Sequence, residues 1–147
     1  MGPKSPTASD DPKAREALRA EYARVRAFTE HLCEPLEIED YGLQVAVEAS
    51  PPRWHLAHVS WFFETFLLHP HLPGYRVFHE RFAHLFNSYY EQTGSGFWPR
   101  AERGLLSRPT VAEVYNYRRH VDRGIVDVIA QCSPADWASA VLGRMPT

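Results

Sequence analysis

Two histidines, His55 and His58, stand three residues apart in the stretch "SPPRWHLAHVSWFFETFLL", Ser50 to Leu68. Neutral imidazole is the commonest protein ligand for zinc and iron, and helical bundles often hold such ions between facing helices. On a helix this spacing separates the two side chains by about 60°, so both can approach one site. The plainer alternative is a histidine hydrogen-bonded within a wet core. Glu64 lies roughly 120° from His58 around the same helix, which favours a helix-end or salt-bridge role over a shared site. His69 and His71 form a second close pair in "HPHLPG", read as a Pro-rich loop, and are weaker ligand candidates. His31, His79, His84 and His120 have no supporting neighbours in the chain, so surface or packing roles are expected of them. Arg100 and Arg103 lie in a long segment without periodicity. Arginine suits a bidentate grip on a carboxylate, and two at this spacing can converge on one anion. The alternative is a solvated loop charge. Tyr89 and Tyr90 could donate hydrogen bonds, but core packing is the plainer reading of both.

These residues must be held by helices. Ser50 is a candidate N-cap, with Pro51 and Pro52 tolerated in the first turn that follows. No breaker intervenes before Pro70, which predicts a helix from about 51 to 68. Leu56, Val59, Phe63, Phe66 and Leu67 recur at helical spacing, and Trp54, His58, Trp61 and Phe62 form a second stripe. A helix apolar over so much of its circumference must be buried among others. Upstream, Asp10 or Asp11 caps a helix with Pro12 in its first turn. Its stripe is Leu18, Tyr22, Val25, Phe28 and Leu32. The polar "EIEDYGLQ" contains a short helical turn. A further helix is expected around 76–91, then the long loop "TGSGFWPRAERGLLSRP". Thr110 and Glu113 form a capping box opening a helix with core positions Val111, Val114, Tyr115, Val121, Ile125, Val128 and Ile129. Ser133 and Pro134 begin one more helix, cut short. The fold class is therefore all-α, most economically an up-and-down four-helix bundle with a truncated fourth helix.

The chain of 147 residues suits one domain, residues 11–147, after a Pro- and Ser-rich stretch at 1–10 expected to be disordered. A net charge of −2 argues against a general nucleic-acid binder. No apolar run is long enough for a membrane span, and the first residues carry no signal-peptide pattern. Gly2 is not in a convincing myristoylation context. Cys33 and Cys132 are expected to be reduced thiols, and the location cytoplasmic.

Four blocks in order, "ASPPRWHLAHVSWFFETFLL", "PGYRVF", "LFNSYYE" and "RGLLSRPTVAEVYNYRRHVD", resemble the N-terminal, DinB-like domain of ergothioneine-biosynthesis sulfoxide synthases. They lie between about Leu36 and Asp122. The resemblance implies a non-haem iron enzyme that uses O₂ to join cysteine or γ-glutamylcysteine to hercynine. It implies iron, Fe(II), held by three histidines, of which His58 aligns with one; the other two come from an HxxxHxE motif. Arg100 and Arg103 align with the grip on the thiol substrate's carboxylate. The catalytic tyrosine belongs to a C-terminal domain resembling formylglycine-generating enzyme, so no catalytic residue is assigned here. This sequence reaches Thr147 without the HxxxHxE motif or the second domain. The chain alone is therefore expected to be inactive. Two other roles stay open. One is a non-catalytic helical module, a homodimer covering the incomplete bundle face. The other is a small DinB-like metal-dependent thiol transferase whose site is completed between subunits by His55, His69 or His120.

Overall fold

A computed structural model describes residues 11–131, so residues 1–10, Cys132 and the helix expected from Ser133 lie outside the described residues. No strand forms among those described; one isolated bridge pairs Ala46 with Ala49. The all-helical class read from periodicity holds.

Helix α1 spans Pro12–His31, with Asp11 capping it by accepting from the Lys13 amide at 3.0 Å. Its inward face differs from the expected stripe. Tyr22 and Arg26 are buried, whereas Val25, Phe28 and Leu32 are 47%, 54% and 62% exposed. The helix is turned this way by a charged side chain. Arg26 Nε donates to Asp122 Oδ1 and its Nη2 to Ser60 Oγ, both at 2.7 Å. A desolvated guanidinium must keep such partners, so it fixes the rotation that periodicity left free. A 3₁₀ turn at Ile38–Gly42 follows, as expected, and buries Tyr41.

Helix α2 spans Pro52–Phe63, with Pro51 rather than Ser50 at the N-cap position. It continues without interruption into a π-helical segment, Glu64–Leu68, and a last turn, α3, at His69–His71. Pro70 therefore does not end the helix. It falls in the first turn after the change of register, where its missing N–H is least needed. The "HPH" pair lies on helix, not in a loop.

The helix expected over 76–91 contracts to α4, Phe82–Phe86. Asn87 stops it. Fully buried, it accepts from the Tyr90 amide at 2.8 Å and donates to the carbonyls of Tyr90 and Gly96 at 3.0 and 2.8 Å. Asparagine competes in this way with the helical ladder. The long segment after it is more ordered than its composition implied, with a 3₁₀ turn at Arg100–Leu105. Gln44 clamps that turn, accepting from the Gly104 amide and donating to the Arg100 carbonyl, both at 2.7 Å.

Helix α5, Val111–Gln131, opens on the expected capping box. Glu113 accepts from the Thr110 amide at 3.2 Å, and Thr110 Oγ1 accepts from the Glu113 amide at 3.1 Å. Helix α1 runs antiparallel to α5, Arg15 reaching the Ile129 carbonyl while Tyr22 reaches Asp122. It is also antiparallel to α2, with Arg26 beside Ser60 and Tyr22 against Phe63. Helices α2 and α5 consequently run in the same direction, Arg118 meeting Leu56 and Gly124 meeting Leu68. Simple alternation does not extend to this pair. The residues between α3 and α5 bring the chain back to the starting end. No helix among the described residues is long and apolar enough to cross a membrane.

Candidate functional site

The end of α4 leaves backbone carbonyls without helical partners, as every helix end does. Two consecutive ones are taken by side chains of α2. Trp54 Nε1 donates to the Leu85 carbonyl at 2.9 Å, and His58 Nδ1 donates to that of Phe86 at 2.7 Å. A carbonyl only accepts, so the proton of neutral His58 sits on Nδ1 and Nε2 keeps its lone pair. The Ser88 hydroxyl lies 3.4 Å from that Nε2.

Spacings of four and three residues along α2 stack His58 between two indoles. Its ring lies 4.6 Å from Trp54 at 11° and 5.6 Å from Trp61 at 20°. The Arg103 guanidinium carbon sits 3.5 Å from the Trp54 ring centroid. His58 already covers one face of that indole, so sterics place Arg103 on the other. The sequence reading missed Trp54 as a site residue. Its signal was available in its position four residues before His58.

Arg103 is 2% exposed. Its Nη1 donates to Ser50 Oγ at 2.8 Å, which is the role Ser50 has instead of capping α2. Its Nε and Nη2 have no hydrogen-bond partner among the described residues. Burial, with help from Arg100, pushes its pKa down to about 10 against a smaller opposing effect of Tyr89. Arg100 is exposed and lies 5.4 Å from the Tyr89 ring, with Arg103 at 5.9 Å from the same ring. Tyr89 is not the packing residue expected. It is 45% exposed and holds φ at +75°, a left-handed conformation that costs a non-glycine residue energy and clusters at functional sites. Tyr90 does pack, against Trp61, Phe62 and Phe66.

Both α2 histidines are driven toward the neutral form. Burial lowers the pKa of His58 against the opposing bond to Phe86, with smaller help from the positive Arg103 and from repulsion by His55 when that ring is charged. His55, expected in the core or beside a ligand, presents an open edge to solvent. Its pKa still falls, through burial of the rest of its ring and then through Arg103 and Arg100. A ligand-competent imidazole thus adjoins a cationic pair.

The remaining candidates do not join this site. His69 and His71 are exposed. His31 pairs with Glu34, His84 with the Ser95 carbonyl and His120 with the Arg76 carbonyl, while His79 accepts from the Arg81 amide. Glu64 makes no salt bridge among the described residues. It is buried and accepts from the hydroxyls of Tyr75 and Tyr117 and from the Phe78 amide. Cys33 is a free buried thiol whose pKa burial raises.

Iron in a facial site needs three donors. Among the described residues no three His, Cys, Asp or Glu side chains come together. These residues offer one prepared imidazole, His58, and by themselves do not make a metal centre.

Residues 21–146 match the pattern of the DinB superfamily. A comparison with curated proteins finds no match.

Proposed function

This chain belongs to the DinB superfamily, and from that premise we propose that it holds the thiol substrate in a sulfoxide synthase of the ergothioneine type. Arg103 and Arg100 receive the carboxylate of cysteine or γ-glutamylcysteine. His58 contributes one iron ligand, and the described residues carry no catalytic step. The reading rests on the likeness of the four sequence blocks and on one observation, that Nε and Nη2 of the buried Arg103 guanidinium have no hydrogen-bond partner among the described residues. A buried cation with two free N–H groups is unfavourable until an anion meets it. A carboxylate answers both groups in one plane, which is arginine's geometric advantage over lysine. In the low-dielectric layer between Trp54 and Tyr89 that pairing is stronger than in water.

Calorimetric titration of the chain tests this. Cysteine and γ-glutamylcysteine are expected to bind, and cysteamine, which keeps the thiol and amine but lacks the carboxylate, is not. Arg103→Gln is expected to weaken binding by roughly tenfold or more, the size of a charge-assisted hydrogen bond. Equal binding of cysteamine, or an Arg103→Gln chain that binds as tightly, overturns the reading.

A helical dimerisation module is the second reading, favoured by the exposed Val25, Phe28 and Leu32 along one side of α1. Light scattering decides it. A dimer that Phe28→Lys converts to monomer supports it, and a monomer at high concentration removes it.

A further inference from the structure

We propose that a second cavity, lined by Trp61, Glu64 and Glu80, binds a small organic ammonium compound bearing a hydrogen-bond acceptor near its nitrogen. The cavity encloses about 380 Å³ beside the π segment, within the size range of small-ligand sites. Neither His58 nor Arg103 lines it, so the inference does not rest on the thiol-binding reading.

Charge selects the ligand class. Glu64 is 4% exposed, and its three partners, Tyr75, Tyr117 and the Phe78 amide, are all neutral donors. They solvate the carboxylate without neutralising it, although buried charges are ordinarily paired. Oε2 takes two of these bonds and Oε1 one, which leaves Oε1 free to accept another. Glu80, exposed at the cavity wall, adds a second carboxylate, and among the described residues His69 is the remaining ionisable group there. No lysine or arginine among the described residues lines the space.

A second observation asks for an acceptor. Trp61 is 1% exposed, and its Nε1–H has no hydrogen-bond partner among the described residues. Buried indole N–H groups normally find one. Thr65 and Ser95 add hydroxyls to the same wall. An ammonium brings up to three donors for Glu64 and Glu80, and a neighbouring oxygen can take the indole proton. A metal ion matches the cavity less well, because no three metal-ligating side chains converge among the described residues. The local backbone agrees with a functional role, since the helix widens into π geometry starting at Glu64 and such turns recur at functional sites.

Ethanolammonium chloride is the probe, added to the full chain while the Trp61 indole resonance is followed by ¹H–¹⁵N NMR. Trp61→Phe identifies that resonance. The expected result is a saturable shift with ethanolammonium, absent with ethylene glycol or sodium chloride. Glu64→Gln and Glu80→Gln are each expected to weaken binding about tenfold, whereas Arg103→Gln leaves it unchanged. Because Glu64→Gln also disturbs three internal hydrogen bonds, Glu80→Gln decides the matter if the former fails to fold. No saturable shift, an equal shift with ethylene glycol, or unaltered affinity in Glu80→Gln overturns the proposal.

Discussion

His58 donates through Nδ1 to the carbonyl oxygen of Phe86 at 2.7 Å. One hydrogen bond between α2 and the end of α4 therefore selects the tautomer, orients the ring between two indoles and leaves Nε2 as an acceptor. The neighbouring bond from Trp54 to Leu85 holds the indole on which Arg103 rests. The imidazole and the guanidinium thus share one rigid support.

The histidine's protonation is expected to show in stability. Its pKa in the folded chain lies below the ordinary value because burial penalises the charged form. Between the folded value and about 6.5, the unfolded chain therefore binds more protons than the native one. Stability is full above that window and falls as pH drops through it. His55 adds to the same trend. Urea unfolding from pH 7.5 down to pH 5 should show the decline, and His58→Gln should flatten it. An unflattened slope in that variant would mean His58 is not the titrating group.

Arg118 predicts a large loss of stability on substitution. It is fully buried, donating to Glu30 at 2.9 Å, to the Leu56 carbonyl at 3.0 Å and to the Arg26 carbonyl at 3.2 Å. Arg118→Met removes the bonds that tie α5 to α1 and α2 and takes the cation from Glu30, and is expected to cost about 3 kcal/mol. The Arg19–Glu16 pair is nearly as close, at 3.0 Å, but its side chains are 53% and 64% exposed. Glu16→Gln is therefore expected to leave the urea midpoint unmoved. Equal effects from the two substitutions would contradict this ranking.

Gly124 is required by close packing. A Cβ there meets Leu68 Cδ1 at 2.9 Å and Cδ2 at 3.0 Å, and Leu68 is fully buried. Alanine gains roughly 1 kcal/mol in helix propensity but overpacks the core by about 1–3 kcal/mol. The clash wins, and Gly124→Ala is expected to destabilise by about 1 kcal/mol. Combining it with Leu68→Ala opens the space, so the double variant should lose less than the sum of the two. Strict additivity in denaturation would show that the contact is not the cause.

Much of the fold was legible because local physics is written in local residues. The box at Thr110 and Glu113, the Asp11 cap and the stripe of α5 depend on neighbours three or four positions away. The rotation of α1 was not legible. Val25, Phe28 and Leu32 have helical spacing, but the inward face was claimed by Arg26, whose partners Ser60 and Asp122 are remote in the chain. The break at Asn87 was hidden similarly, since its bond to the Gly96 carbonyl closes a nine-residue loop.

By itself, the sequence determined an all-helical chain, placed His58 on an aromatic helix and offered Arg100 and Arg103 together as an anion grip. Helical spacing suffices for the first two, and residue type with close spacing for the third. Only the tertiary structure decided that His58 and Arg103 flank one indole, that Arg100 stays in solvent, and that Glu64 is a buried carboxylate with no salt bridge among the described residues. Those properties depend on which distant groups share a low-dielectric space, and that is set when α2, α4, α5 and the 93–109 segment close on one another.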